Sequence, residues 1–370
     1  LGANIDARIN RLVDTIRNYQ CNETFTSLKR YELNRQGSEV DRPNVILELT
    51  DHAAPMAQMT VEEICRDSKK LVCSQLTAMS DYKSDAPLLN FPDFYNIENE
   101  AVGQSVHYPE NSLPVLIEPL IKTHKDLDRL RLPNLEQAGR IPQAIEIVRN
   151  FNEKLGSVCL GCGLVQGPWS MAAGLRGFKD LLYDTKRDID FVHEILDYCV
   201  EVCVVYANAL LSNGLDLVIF TDGWASIGEC ISPENFYRLV VPYTGRVFSR
   251  LPKKSAVWLG IWGIRNAPDW RDIIRGEIAA GTSAVFIGDP DCFSIDLAEA
   301  KRILVKHDVQ LWVGVDAEVI RFGNIKERVS ELINVASGGG VTVYANWVTY
   351  DCPPERVRCF VESVKSISSH

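Results

Sequence analysis

The chain has 370 residues, 46% of them hydrophobic and 24% charged, with a formal net charge of −10. A chain of this size and balance builds its own core without disulfides or a structural metal. Its acidity excludes a nucleic-acid surface, which needs clustered Lys and Arg, and no apolar run reaches the roughly 18 residues of a membrane span. Residues 1–40 read as a polar helical extension (IDARINRLVDTIRN, then FTSLKRYELNRQ) that ends at Arg42-Pro43, because the residue before proline avoids the helical region. Residues 41–370 read as one domain. The first strand is NVILEL (44–49); a helix over 60–80 follows, opened by the capping box Thr60-Val61-Glu62-Glu63. A second strand is expected near 86–90. Residues 91–135 are too long for a plain loop and are expected to hold small elements of their own.

From there the chain alternates. A helix over 141–155 precedes the strand VCLGCGLV, and a long helix over 188–213 precedes DLVIFT. Ser232-Pro233-Glu234 opens a helix to residue 250, with serine as cap and proline in the first turn. The later units are AVWLGIW, SAVFIG, QLWVGV and VTVYANW, each followed by a helical segment. Alternating strands and helices imply parallel pairing, and about eight strands imply a closed (β/α)8 TIM barrel. Several of these strands end on a carboxylate, an amide or an indole: Asp222, Trp262, Asp289, Asp316 and Asn346-Trp347. In a parallel barrel those ends share one rim, where active sites sit.

The 11 cysteines, odd in number and scattered, fit a reducing cytoplasm rather than a secreted scaffold. The pair Cys159 and Cys162 has redox-motif spacing but reads as small residues in a buried strand. No signal peptide is recognised.

The order of the pieces resembles the uroporphyrinogen decarboxylase superfamily, and within it the branch of cobamide-dependent methyltransferases. The resemblance lies in Glu100-Ala101-Val102-Gly103, in Gly167-Pro168-Trp169-Ser170-Met171-Ala172 with Leu175-Arg176-Gly177, and in Gly214-Leu215-Asp216 with Asp222 to Ser226. It continues through Ile231 to Phe236, Pro242-Tyr243, Asp296 to Lys301, and Pro353 to Val357. The arginine cluster that holds substrate carboxylates in the decarboxylases is missing from Arg42 to His52, so a polycarboxylate would lack a basic clamp. The His-x-Cys-Gly zinc motif of the methyltransferases aligns with Gly260-Ile261-Trp262-Gly263, and their last cysteine aligns near Asn346, with Cys352 a few residues downstream. Three ligands are therefore not available, and zinc is not expected.

The resemblance implies a methyltransferase that exchanges a methyl group between a small molecule and cobalamin carried by a separate corrinoid protein. The Asp-x-His-x-x-Gly signature of a cobalamin module is absent from the chain. The small molecule would be a methyl ether (O-demethylation), a methylamine or tetrahydrofolate. Asp222 and Asp289 are candidate general acids, since a carboxylate buried among indoles has a raised pKa. Asn346 could fix a substrate oxygen or a pterin edge, and Trp169, Trp224, Trp262, Asp316 and Trp347 are candidate substrate contacts. Each has a structural alternative: Asp222 as a cap, Trp169 and Trp258 as barrel filling. Glu229 reads as a loop residue, and His52 and His107 as the histidines able to reach the pocket. Two other functions remain open: a lyase acting on a smaller carboxylate through Arg176 or Arg265, and a ligand-binding relative without catalysis. Expected partners are the corrinoid protein and the small molecule, with no nucleic acid and no membrane; a homodimer is compatible with the sequence.

Overall fold

The computed structural model describes residues 2–336 and 338–367. Seven strands form one parallel sheet: β1 (Asn44–Leu47), β4 (Cys162–Gln166), β5 (Leu217–Thr221), β6 (Ala256–Leu259), β7 (Ala284–Ile287), β8 (Gln310–Asp316) and β9 (Val341–Asn346). They are ordered β1-β9-β8-β7-β6-β5-β4, while β2 (Val106–His107) and β3 (Val115–Leu116) make a separate antiparallel hairpin. Residues 86–90 fill the gap between β1 and β4. Ile46 bridges to Ala86 and Leu88 to Cys162, both parallel. The Asn90 side chain continues this ladder, donating to the Leu164 carbonyl and accepting from the Leu164 amide, each at 2.8 Å. The ring therefore has eight staves, in keeping with the barrel expected from the sequence.

Strand parity divides the core into two layers. Ile46, Leu164, Ile219, Leu259, Phe286 and Tyr344 pack together inside the ring. Their neighbours Val45, Val165, Phe220, Trp258, Ile287 and Val343 pack outward under the helices. Every strand is thus apolar on both faces, as parallel barrel strands are.

The N-terminal segment closes the lower end of the barrel. The helix Gly2–Cys21 packs on helices Ser68–Tyr82 and Ile141–Leu155. The next helix, Ser27–Arg35, places Tyr31 in the inner cluster, and Asn34 donates to the Val341 carbonyl (2.8 Å) and accepts from the Gly340 amide (2.6 Å). Asp85, at the start of the closing segment, is fully buried and takes hydrogen bonds from Arg42, Arg30 and the Val45 amide.

Three local expectations are refined. The segment 60–80 is two helices, Val61–Arg66 and Ser68–Tyr82, because Asp67 is extended and caps Lys69 and Lys70; the capping box at Thr60 forms as expected. The helix from Ser232 is interrupted by a π turn at Phe236–Val240. The 24-residue helix Ile189–Ser212 does reach membrane-spanning length and apolarity, contrary to the count of apolar runs, but most of it is buried in the fold, against β4 and β5.

Candidate functional site

A cavity of about 530 Å³ opens at the C-terminal ends of the strands. The strand ends contribute Glu48, Gln166, Thr221, Leu259 and Asn346; the loops after them contribute Trp224, Glu229, Trp262 and Trp347, with Phe94 and Tyr95 from the 91–135 region. Parity explains the selection. Glu48 follows inward Ile46, Gln166 follows inward Leu164, Thr221 follows inward Ile219, and Asn346 follows inward Tyr344.

The indoles are held in place by their surroundings. Gly288 leaves room for Trp262, since a Cβ there would stand 2.6 Å from Trp262 Cζ3 and 2.8 Å from the Phe286 ring. The Trp262 and Phe286 rings meet edge to face at 5.1 Å. The loop carrying Trp262 is tied down by buried Asp291, which accepts from the amides of Gly263 (2.8 Å) and Arg265 (3.1 Å). Trp347 has φ +50°, a left-handed conformation unusual for a bulky side chain. Its neighbour Val348 donates to the Glu48 carbonyl at 2.9 Å, which joins the two sides of the mouth. Trp224 is half exposed and stacks on Phe178 at 4.4 Å.

Glu48 is the carboxyl built into the cavity wall. It is buried, and its Oε2 has no hydrogen-bond partner; the nearby Tyr344 hydroxyl is also unpartnered. Burial raises its pKa to about 7, against smaller lowering effects of Tyr344 and the Trp347 backbone. Gln166 presents a second buried unpartnered oxygen, Oε1. Behind it, buried Glu98 accepts from the Gln166 amide at 2.8 Å and is raised by burial to about 8.

Of the residues singled out from sequence, the structure gathers Trp224, Trp262, Asn346 and Trp347 around the cavity. Asp222, Asp289 and Trp169 stand in its walls instead, and Asp316, in register with Asn346 on the inward side of β8, is turned to a helix cap rather than to the cavity. Asp222 is wholly buried in the strand–helix layer, where it accepts from the Ser170 amide (3.0 Å) and Trp258 Nε1 (3.2 Å). Burial raises it to about 6. Asp289 is ion-paired with Arg328 at 2.8 Å and accepts from the Asp316 amide at 3.2 Å. Asp316 caps the helix Ala317–Phe322 through Glu318. Trp169 is buried and donates to the Trp224 carbonyl at 2.9 Å, so it positions that loop. His52 is buried between Tyr82 and the Thr349 carbonyl, and His107 lies in the small hairpin. Glu48, Gln166 and Tyr344 are not singled out by the sequence, because strands buried on both faces do not show which of their residues point inward.

Among the described residues, no Lys or Arg lines the cavity. Arg176 is bound to Asp184 (2.7 Å) and to the backbone of Ile121 and Lys122; Arg265 is bound to Asp291 (2.8 Å) and lies 3.5 Å from Glu229. The donors for zinc do not fit either. Trp262 and Asn346 occupy the aligned positions, and Cys352 is buried outside the lining. Among the described residues no three His, Cys, Asp or Glu side chains gather where they could hold a metal ion.

Comparison with known proteins places this mouth in context. The model of the family described as "Uroporphyrinogen decarboxylase (URO-D)" matches residues 26–367. A uroporphyrinogen decarboxylase of Crocosphaera subtropica is 26% identical over 274 residues, 70% of this chain and 72% of that protein. The methylcobamide:CoM methyltransferase MtaA of Methanosarcina barkeri is 32% identical over 232 residues, 60% of this chain and 62% of that protein. Among solved structures, a methyltransferase from Methanosarcina mazei superposes with a TM-score of 0.79 at 20% identity, covering 92% of this chain and 98% of that one. That likeness establishes the fold.

Proposed function

We propose that this chain, which belongs to the uroporphyrinogen decarboxylase family, is a methyltransferase that moves a methyl group between a separate corrinoid protein and a small methylated substrate or acceptor. The observation that carries this reading is the lining of the mouth: indoles, amides and carboxyls, without one basic side chain. Decarboxylation of a polycarboxylate would bury several negative charges against Glu48 with no Lys or Arg in the lining to pair them, a costly arrangement. Relatives of both kinds, decarboxylases and the methyltransferase MtaA, match this chain, so the choice rests on the lining.

The corrinoid, when its carrier docks, supplies the centre that gives or takes the methyl group. The residues of this chain bind and orient the small molecule beneath it. Trp262 and Trp347 wall the cavity and limit water. Asn346 offers an amide to a substrate oxygen or ring edge. Glu48 can hold a proton facing a leaving group or stay ionised beside a cation, since its carboxyl titrates near neutrality. Asp222, Asp289 and Asp316 act as positioning residues for the loops that carry Trp224 and the β7 and β8 ends. The half-exposed Trp224 and Trp347 flank an open mouth and suit a docked partner.

The test is to mix the protein with reduced corrinoid protein and a panel of methyl ethers, methylamines and methyltetrahydrofolate, following the cobalamin spectrum. A spectral change with one donor class is expected. No change with any donor, and none on demethylation with folate or thiol, sinks the proposal.

A further inference from the structure

The fully buried polar atoms of the cavity lining that lack partners are acceptors. Glu48 Oε2 and Gln166 Oε1 are both buried and neither completes a hydrogen bond within the protein, although the Tyr344 hydroxyl and the Trp347 backbone stand close to Glu48. A buried acceptor left unpaired costs free energy, most of all a carboxylate. A ligand that brings a donor and a positive charge removes that cost; a neutral ether, which brings only acceptors, does not. The walls favour the same ligand. Trp262, Trp347, Trp224 and Tyr95 present indole and phenol rings, and among the described residues no Lys or Arg lines the space. Aromatic faces beside a carboxylate are the chemistry that recognises substituted ammonium groups.

We infer that the cavity takes a protonated N-methylated amine, with Glu48 as its counter-ion and the Trp262 and Trp347 indoles as its walls. This names a substrate class for the site and rests on reading the cavity as the place where the small molecule binds. At about 530 Å³ the cavity admits an amine with a ring or chain beyond its methyl group. The other titratable groups that share the wall or cavity with Glu48 do not compete for the role. Burial raises Tyr344 from β9, Tyr95 and Cys230 above their ordinary values, which keeps them neutral. Glu229 is exposed at the mouth beside Arg265, and Asp316 is committed to its helix cap.

The experiment is calorimetric binding to the full chain, with no corrinoid present. The probes are protonated N-methylpiperidine, quaternary N,N-dimethylpiperidinium and neutral methoxycyclohexane. The protonated amine should bind tightest, the quaternary ion more weakly because it has no N–H for Glu48, and the ether least. Glu48→Gln should weaken the amine by about 30-fold or more, the lower end of what losing one partner of a buried charge pair costs. Trp262→Leu should weaken both cations several-fold and leave the ranking intact. Wild-type affinity for the amine should rise between pH 6 and 8 as Glu48 ionises, a titration that needs no variant, and Glu48→Gln should be flat. Ether binding as tight as the amine, no cation binding, or a pH-independent wild type overturns the inference. Methyl transfer from an ether with no cation binding would sink this inference alone; cation binding without methyl transfer would sink the methyltransferase reading alone.

Discussion

Replacing Asp85 by Asn should loosen the barrel at its seam in a pH-dependent way. Asp85 is wholly buried where residues 86–90 close the ring, and it accepts from Arg42 at 2.7 and 3.0 Å, Arg30 at 3.1 Å and the Val45 amide at 2.7 Å. Burial alone would raise its pKa, but Arg42 and Arg30 outweigh it and bring it down to about 2. The unfolded value is about 3.9, so at pH 7 the ionised group adds about 2–3 kcal/mol of stability. A depressed carboxyl contributes above its unfolded pKa and loses that contribution as pH falls towards the folded one. By pH 3 about half is gone, roughly 1 kcal/mol. Removing the charge also leaves two buried arginines underpaired, so Asp85→Asn should cost about 3–5 kcal/mol at pH 7. Urea unfolding of both proteins at pH 7 and pH 3 reads the gap between them. It should narrow by roughly 1 kcal/mol at the lower pH. A gap that stays constant or widens would refute the assignment of Asp85 as the charged clamp of the seam.

Three further outcomes follow from the same geometry. Gly288→Ala places a Cβ 2.6 Å from Trp262 Cζ3; overpacking of this kind costs about 1–3 kcal/mol, and ligand affinity should fall while circular dichroism stays unchanged. Arg328→Met strands buried Asp289 without its cation and should destabilise the fold by about 3–5 kcal/mol in urea unfolding. Arg176→Ala should leave substrate saturation unchanged, since Arg176 is committed to Asp184 and two carbonyls; a raised KM would revive the carboxylate-lyase reading.

The barrel was largely legible in the sequence because each strand is a short apolar run bounded by turn residues, and Ile141–Leu155 and Ile189–Ser212 carry clear start and stop signals. The eighth stave was harder: Ala86 to Asn90 pairs through isolated bridges and a side-chain amide, which leave little trace in hydropathy. The site was legible as a rim but not as a lining. A carboxylate at a strand end looks alike whichever way it points, and strands apolar on both faces hide their parity. Counting from inward Ile219 puts Thr221 in the cavity and Asp222 in the wall; counting from inward Phe286 puts Gly288 inside and Asp289 outside. The same count from Ile46 turns Glu48 inward. The missing arginine cluster was visible from the start, and the lining without Lys or Arg is its structural counterpart.

The most direct measurement follows a carbon-13 methyl group. The protein is incubated with reduced corrinoid protein and labelled N-methylpiperidine, and the corrinoid is analysed by mass spectrometry, with Glu48→Gln in parallel. The label should appear on the corrinoid with the wild-type protein and far more slowly with the variant. An unlabelled corrinoid, together with carbon dioxide released from a small carboxylate by the same preparation, would contradict the account.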